Sequence, residues 1–312
     1  MSFSVVIPLY NKALHIERAL QSIFDQTCQD FEIIVVNDGS TDNGREIVEN
    51  IHDPRIRLIN QSNQGVSVAR NRGAEAAKNK FVAFLDADDE WLPDYLNQIQ
   101  VLINNFPDCG AYATAVQTIR PNGERKFPSL KKIPDEPWTG ILPNFFELIQ
   151  DGLAFCSSSI VVSRQVLLNV GGFPAGVTKF EDTVCFVNIA IQYPIAFNPK
   201  RLVIYHQDAT NRSNVHRYLS EAPYIKIVQN AIKAGLIPRE LEGEALEFNA
   251  KRQILSASEN ILAGNPFYAK QLLASCVKTK KYKKNWLWWR FWASFPAGWP
   301  HQILEFKQKV LR

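Results

Sequence analysis

Short apolar runs alternate with amphipathic stretches through residues 1–110 of this chain. Ser4-Val-Val-Ile7 (inside the longer run Phe3 to Leu9), Glu32-Ile-Ile-Val-Val36, Ile56-Arg-Leu-Ile59 and Phe81-Val-Ala-Phe-Leu85 are rich in β-branched and aromatic residues and predict strands. Between them, Ile16, Leu20, Ile23 and Phe24 share one helical face, Thr41-Asp42 precede a polar helix through Val48, and Val66 to Ala77 reads as an Ala-rich helix. Trp91 and Pro93 start a further helix. Short strands alternating with helices predict an α/β fold, with a mixed, mainly parallel sheet covered on both faces. Ligands of such sheets sit at the carboxyl ends of the strands.

Residues 119–143 break this rhythm with five prolines, several charges and one Trp, which predicts a long loop, functional or mobile. A strand follows near Ser158-Ser-Ile-Val-Val162, then Gly171-Gly172-Phe173, a flexible loop, and a helix from Glu181 to Gln192. After an extended stretch, Ala196 to Tyr205, the pattern is helical to about Thr279. The expected organisation is a sheet domain over 1–215, divided at 110, and a helical region over 216–312.

Polar clusters follow the apolar runs. They are Pro8-Leu-Tyr-Asn11, Asn37-Asp-Gly-Ser-Thr-Asp42, Asp86-Ala-Asp-Asp89 and, at a helix start beyond the Gly-Gly-Phe, Glu181-Asp182. Taken singly each has a plain structural explanation. Asp38-Gly39-Ser40 is turn chemistry, Asp42 suits a helix cap, Asp86 to Asp89 suit a solvated helix start, and an acidic pair complements a helix N-terminus. Their combination at strand ends points to a ligand site.

Composition adds bounds. With 46% hydrophobic and 21% charged residues, the 312-residue chain is globular and able to bury a core. Five cysteines (Cys28, Cys109, Cys156, Cys185 and Cys276) are scattered, odd in number and free of CxxC spacing, which argues against a disulfide framework and a zinc site and suits a reducing compartment. The run Phe3 to Leu9 is strand-like rather than the start of a signal peptide, so a cytoplasmic protein is expected. The net charge of +4 is uneven: Lys278 to Arg312 carries nine Lys/Arg against Glu305 alone, and removing that +8 leaves residues 1–277 at −4. The body is mildly acidic, so no nucleic-acid partner is expected.

The motifs Val5-Val-Ile-Pro-Leu-Tyr-Asn11, Val35-Val-Asn-Asp-Gly-Ser-Thr-Asp42, Gln64-Gly-Val-Ser-Val-Ala-Arg-Asn-Arg-Gly73, Phe84-Leu-Asp-Ala-Asp-Asp89 and Gly171-Gly-Phe with Glu181-Asp182 stand in the order and spacing of a known family. Over residues 1–212 the chain resembles the family 2 inverting glycosyltransferases of GT-A fold, of the bacterial surface-polysaccharide type. The resemblance implies a Rossmann-like nucleotide-diphospho-sugar transferase fold, with a nucleotide-sugar half over 1–110 and an acceptor half over 111–215. It also implies transfer of a hexosyl or related sugar from a nucleotide-sugar donor, with inversion, to a hydroxyl of a glycan or lipid-linked acceptor. UDP-sugars are the first expectation; GDP- and dTDP-sugars stay open.

The resemblance further implies roles. Pro8 and Tyr10 would line the base pocket, Asp38 would accept from the base, and Arg70 would help close that pocket. Asp86 would approach the ribose or the metal, and Asp88 would be the main protein ligand of Mn²⁺ or Mg²⁺, ions that take hard oxygen donors. Asp182 would be the general base, with Glu181 beside it on the acceptor side. His206 could complete the metal shell and Arg212 could bind the diphosphate; a surface loop ending the sheet domain is the competing account of both.

Two further readings compete with this one. A nucleotidyltransferase would favour a glycine-rich basic loop after the first strand, and Pro8-Leu-Tyr-Asn11 has no glycine. A non-catalytic nucleotide-sugar-binding or assembly protein is the other, and the intact acidic clusters argue against it. The tail from Lys278 holds Trp286, Trp288, Trp289, Trp292 and Trp299 beside Lys280-Lys-Tyr-Lys-Lys284, too short an apolar stretch to span a bilayer. Trp beside Lys and Arg suits peripheral contact with an anionic membrane surface; packing onto the catalytic domain or a second subunit is the alternative. The oligomeric state is open.

Overall fold

The computed structural model describes residues 1–130, 132–134, 137–150, 154–209 and 219–295. The chain forms two compact units, Met1–Arg212 and Ser213–Arg312.

The first unit opens with β1 (Phe3–Leu9), α1 (Ala13–Phe24), β2 (Phe31–Asp38), α2 (Gly44–Glu49), β3 (Ile56–Gln61), α3 (Val66–Ala76) and β4 (Phe81–Phe84). β3, β2, β1 and β4 are neighbours in that order and all parallel, as the strand–helix alternation predicts. Every residue of β1 is buried, which explains its continuous apolar run: helices cover both faces. Pro8 follows the last β1–β4 pair, Val6 with Phe84, where a missing N–H costs no ladder bond on that side.

The second half of the sheet is mixed. After β5 (Glu90–Trp91) and α4 (Tyr95–Asn105) come β6 (Ala111–Ile119), β7 (Arg125–Lys126), β8 (Gly140–Ile141), α5 (Phe145–Gln150), β9 (Ile160–Ser163), α6 (Arg164–Asn169), α7 (Glu181–Gln192) and β10 (Ile195–His206). The ten-stranded sheet runs β3-β2-β1-β4-β9-β6-β10-β5, with β7 on β6 and β8 on β10. β9 is antiparallel to both β4 and β6, whereas β6 and β10 are parallel.

The central strand β6 was not expected. Its sequence, Ala-Tyr-Ala-Thr-Ala-Val-Gln-Thr-Ile, is too poor in large apolar residues to announce a strand, and burial between β9 and β10 decides its state. The segment read as one long loop contains β7 and β8 as well.

One close approach sets the position of α3. A Cβ on Gly73 would lie 2.3 Å from Cγ1 of Val6, whose side chain is buried in β1. The helix therefore rests directly on the strand. Gly73→Ala is expected to destabilise the protein by about 1–3 kcal/mol, the usual cost of overpacking a stiff core. Equilibrium urea unfolding checks this, and an unchanged midpoint would show that Val6 can yield.

The second unit contains α8 (Tyr224–Lys233), α9 (Arg239–Leu262), α10 (Pro266–Ser275) and α11 (Lys283–Trp292). Ala250, Ile254, Ala257 and Ile261 of α9 pack with Leu272 and Leu273 of α10 and with Trp286 and Trp289 of α11. Trp286 also donates its Nε1–H to the Leu273 carbonyl at 2.8 Å. Packing thus accounts for Trp286 and Trp289, with Trp288 and Trp292 half-buried against the same core. Trp299 lies outside the described residues. Among the described residues no helix is long and apolar enough to cross a membrane.

Candidate active site

The carboxyl ends of the parallel strands β1, β2 and β4 bring Pro8, Asp38 and Asp86 to one edge of the sheet. Pro8 is buried in β1, and Tyr10, just past it, keeps 40% of its surface exposed. Asp38 is 2% exposed; its Oδ1 accepts from Gln61 Nε2 (2.7 Å) and Gln64 N (2.8 Å), and its Oδ2 from Gly65 N (2.8 Å). The carboxylate thereby ties the start of α3 to β2, with one hydrogen bond on Oδ2 where a carboxylate oxygen has capacity for two. Gly39, at φ 70°, lets this turn lie against the Asn63 backbone, 2.8 Å from where a Cβ would stand. Asp42 serves two helices: Oδ2 accepts from Ala13 N at the start of α1 and Oδ1 from Gly44 N at the start of α2.

Arg70 lies in α3, almost wholly buried, and joins the acidic motifs. Its Nη2 donates to Asp86 Oδ1 at 2.6 Å, and its Nη1 stands 3.4 Å from Glu181 Oε1. The guanidinium also lies over the Phe173 ring at 5.1 Å. Burial works against its charge, but the carboxylates of Asp86, Glu181 and Asp182 outweigh burial and hold its pKa above the ordinary value. Burial pushes the Glu181 carboxyl up, and the neighbouring Asp182 charge adds to this while Arg70 offsets part of it. Asp182 Oδ1 accepts from Thr183 N at 2.6 Å. Phe180, immediately before the pair, adopts φ 69°. This left-handed turn, costly by about 1–2 kcal/mol for a residue with a Cβ, starts α7 at the acidic pair.

The neighbour of Arg70 fixes the Gly-Gly-Phe turn. Asn71 Oδ1 accepts from Phe173 N (2.8 Å) and its Nδ2 donates to Phe173 O (2.7 Å). Gly172 is at φ 65°, and a Cβ there would stand 2.5 Å from Asn71 Oδ1. Phe173 also packs edge-on against Phe84 of β4 at 5.1 Å.

The acids after β4 have distinct fates. Asp88 Oδ2 pairs with Lys12 Nζ at 2.7 Å, and its backbone carbonyl accepts from Arg18 Nη2 at 2.7 Å. Asp89 is fully buried. It accepts from Ser158 Oγ and from His206 N, and Ser158 Oγ in turn accepts from Asp86 N at 3.1 Å. Burial, reinforced by the charges of Asp88 and Asp86, pushes the Asp89 carboxyl well above its ordinary range. It anchors the acidic loop to the sheet. His206, expected in the metal shell, turns Nε2 to Glu90 Oε2 at 3.1 Å; burial lowers its pKa and the Glu90 bond offsets part. Arg212 lies outside the described residues.

Among the described residues no three or more His, Cys, Asp and Glu side chains converge as a metal cage. Asp88 nevertheless offers hard carboxylate oxygen at a strand end, the donor type that Mn²⁺ and Mg²⁺ accept, so the residues fit an ion that shares its shell with phosphates and water. The sequence assigns no individual role to Lys12, Arg18, Asn71, Asp89 or Ser158, although Asn71 and Asp89 stand inside its motifs. Lys12 carried one usable signal, a lone cation directly after Pro8-Leu-Tyr-Asn11.

A mixed α/β sheet that begins with four parallel strands, with an acidic loop after β4 bridged to the acidic start of α7, has the architecture of the GT-A fold class. The sequence model of glycosyl transferase family 2 matches residues 4–170, and the chain belongs to that family. "Uncharacterized glycosyltransferase YibD" of Escherichia coli (strain K12) is 51% identical over 92 residues, 29% of this chain and 27% of that protein. An "Uncharacterized glycosyltransferase" of Rickettsia bellii is 26% identical over 219 residues, 69% of this chain and 30% of that one. The matches thus span less than a third of these relatives' own length. Among solved structures, S. aureus TarS 1–349 in complex with UDP-GlcNAc has TM-score 0.64 at 19% identity, covering 93% of this chain and 79% of that chain.

Proposed function

We propose that this protein transfers a sugar, with inversion, from a nucleoside-diphosphate donor to a hydroxyl of a glycan or lipid-linked acceptor. The observation that carries the reading is the Asp86–Arg70–Glu181 bridge, which draws the acidic loop after β4 to the acidic start of α7. A transferase of this kind needs two polar centres side by side, one for the leaving group and one for the nucleophile. UDP is proposed as the nucleotide, the one carried by the sugar donor in the TarS complex.

Tyr10 and Asp38 would hold the base, the first by its ring face and the second by the remaining capacity of its Oδ2. A divalent Mn²⁺ or Mg²⁺ held by Asp88 would neutralise charge on the departing diphosphate. That leaving group is already a stable anion, so no carboxylic acid is needed to protonate it, unlike the alkoxide of glycoside hydrolysis. Only the acceptor hydroxyl needs help. Asp182 takes its proton as the oxygen attacks the anomeric carbon opposite the diphosphate, and one displacement inverts that centre. Placing such a base contributes about 10²–10⁴ in rate. Arg70 keeps Glu181 and Asp86 close despite their like charges. A membrane-surface acceptor is proposed from α11, where Leu287 and Phe291 are exposed near Lys284 and Arg290.

The reading is tested with UDP, GDP and dTDP, each with and without Mn²⁺, by thermal shift, followed by UDP-release assays with UDP-sugars. UDP with Mn²⁺ is expected to raise the midpoint most, since a ligand at about 100 times its Kd stabilises by about 2.7 kcal/mol. A panel in which no nucleotide moves the midpoint ends this reading.

A further inference from the structure

The carboxylate assigned to the metal already holds a cation. Lys12 Nζ lies 2.7 Å from Asp88 Oδ2, with the two side chains only 14% and 16% exposed. A charge-assisted pair this sheltered is weakened less by water and salt than a surface pair. Its geometry is built by the same loop that shapes the nucleotide end of the sheet. Asn11, in the left-handed region at φ 50°, donates its N–H to Ser40 Oγ (3.2 Å), and its Oδ1 accepts from Thr41 N (2.8 Å). Ala13 N donates to Asp42 Oδ2 at 2.8 Å, so the residues on either side of Lys12 are both held by the loop 37–42. Arg18, one turn and a half further along α1, fixes the Asp88 carbonyl. Lys12 is therefore aimed at Asp88 by construction.

A divalent ion and an ammonium on one carboxylate repel each other, so each occupant lowers the affinity of the other. A nucleoside diphosphate brings new anionic oxygens, which can take the ammonium and free the carboxylate. We propose that Lys12 competes with the divalent ion for Asp88 and yields that carboxylate when a donor diphosphate arrives to receive its charge. Metal capture is thereby conditional on the donor, and the ion does not accumulate in the donor-free site. Linkage makes the effect reciprocal: the metal strengthens diphosphate binding by the same factor that the diphosphate strengthens metal binding. The inference rests on the metal-assisted reading above and adds to it the residue that sets the order.

The experiment titrates Mn²⁺ into the full chain, following the free ion by electron paramagnetic resonance, with and without UDP. Wild type, Lys12→Met and Lys12→Arg are compared. Without nucleotide, Lys12→Met is expected to bind Mn²⁺ about tenfold more tightly than wild type, a coupling of ordinary size. Lys12→Arg, which keeps the charge, is expected to stay near wild type. UDP is expected to tighten Mn²⁺ binding by a larger factor in wild type than in Lys12→Met. Melting curves verify that the variants are folded, and Lys12→Gln takes the place of Lys12→Met if the latter melts early. Equal nucleotide-free affinities for wild type and the neutral variant overturn the inference alone. Failure of every protein to bind Mn²⁺, with UDP or without it, overturns both the inference and the metal-assisted reading.

Discussion

Asp88→Asn is expected to lower turnover by about three orders of magnitude and to weaken Mn²⁺-supported donor binding with it. The amide leaves the pocket's shape almost unchanged but removes the negative charge that would hold the ion. Metal stabilisation of a developing charge contributes several kcal/mol, and each 1.36 kcal/mol is a factor of ten in rate. The fold should persist, because Asp89 and not Asp88 carries the buried bonds to Ser158 and His206 that tie this loop to the sheet. Thermal melting separates the two contributions: an unchanged midpoint beside lost turnover locates the defect in the site. Full activity of the wild-type protein in EDTA would remove the metal from the account.

Asp182→Asn is expected to leave a different signature. Turnover should fall by about two orders of magnitude or more, while donor and metal affinity stay close to wild type, since the lost interaction acts mainly in the transition state. The Arg70 bridge reaches Glu181 rather than Asp182, so the local scaffold survives the substitution. Single-turnover kinetics with the true acceptor, beside donor titrations, provide the measurement, and NMR of the new linkage reads the anomeric configuration, expected opposite to that of the donor. Turnover near wild type would take Asp182 out of the mechanism.

The strands β1 to β4 and the acidic clusters at their ends were legible because each couples a dense apolar run to a polar turn, a signal contained within a few residues. The strand β6 was not: its alanines and threonines gain strand character only from lying between β9 and β10. The fate of adjacent acids was also hidden. Asp88 and Asp89 are chemically alike in sequence, and the neighbours Lys12 and Ser158, far away along the chain, distinguish the carboxylate that stays partly exposed from the one that is buried. The same holds for Arg70, whose family resemblance implied a place in the base pocket and whose observed contacts are Asp86 and Glu181. No local pattern announces a pair separated by more than a hundred residues. His206 bonds to Glu90 for the same reason, since a single histidine after a strand does not specify its partner. In the tail, the tryptophans suggested an interface, and the spacing of Trp286 and Trp289 places both on the packed face of α11.

The helix α3 has a consequence for how enzymes of this kind can be rebuilt. Its first turn is tied to Asp38, its middle carries Arg70 and Asn71 to the Gly-Gly-Phe turn and to Glu181, and Gly73 seats it on β1. A chimera that joins residues 1–110 of this chain to the later half of a relative therefore inherits a lock without its key. The two halves of the sheet unit are not interchangeable cassettes: a graft is expected to succeed only where the incoming turn accepts Asn71 on both backbone groups of its aromatic residue and presents an acid to Arg70. Recombination libraries cut at that midpoint should be filtered on those contacts before any substrate is tried.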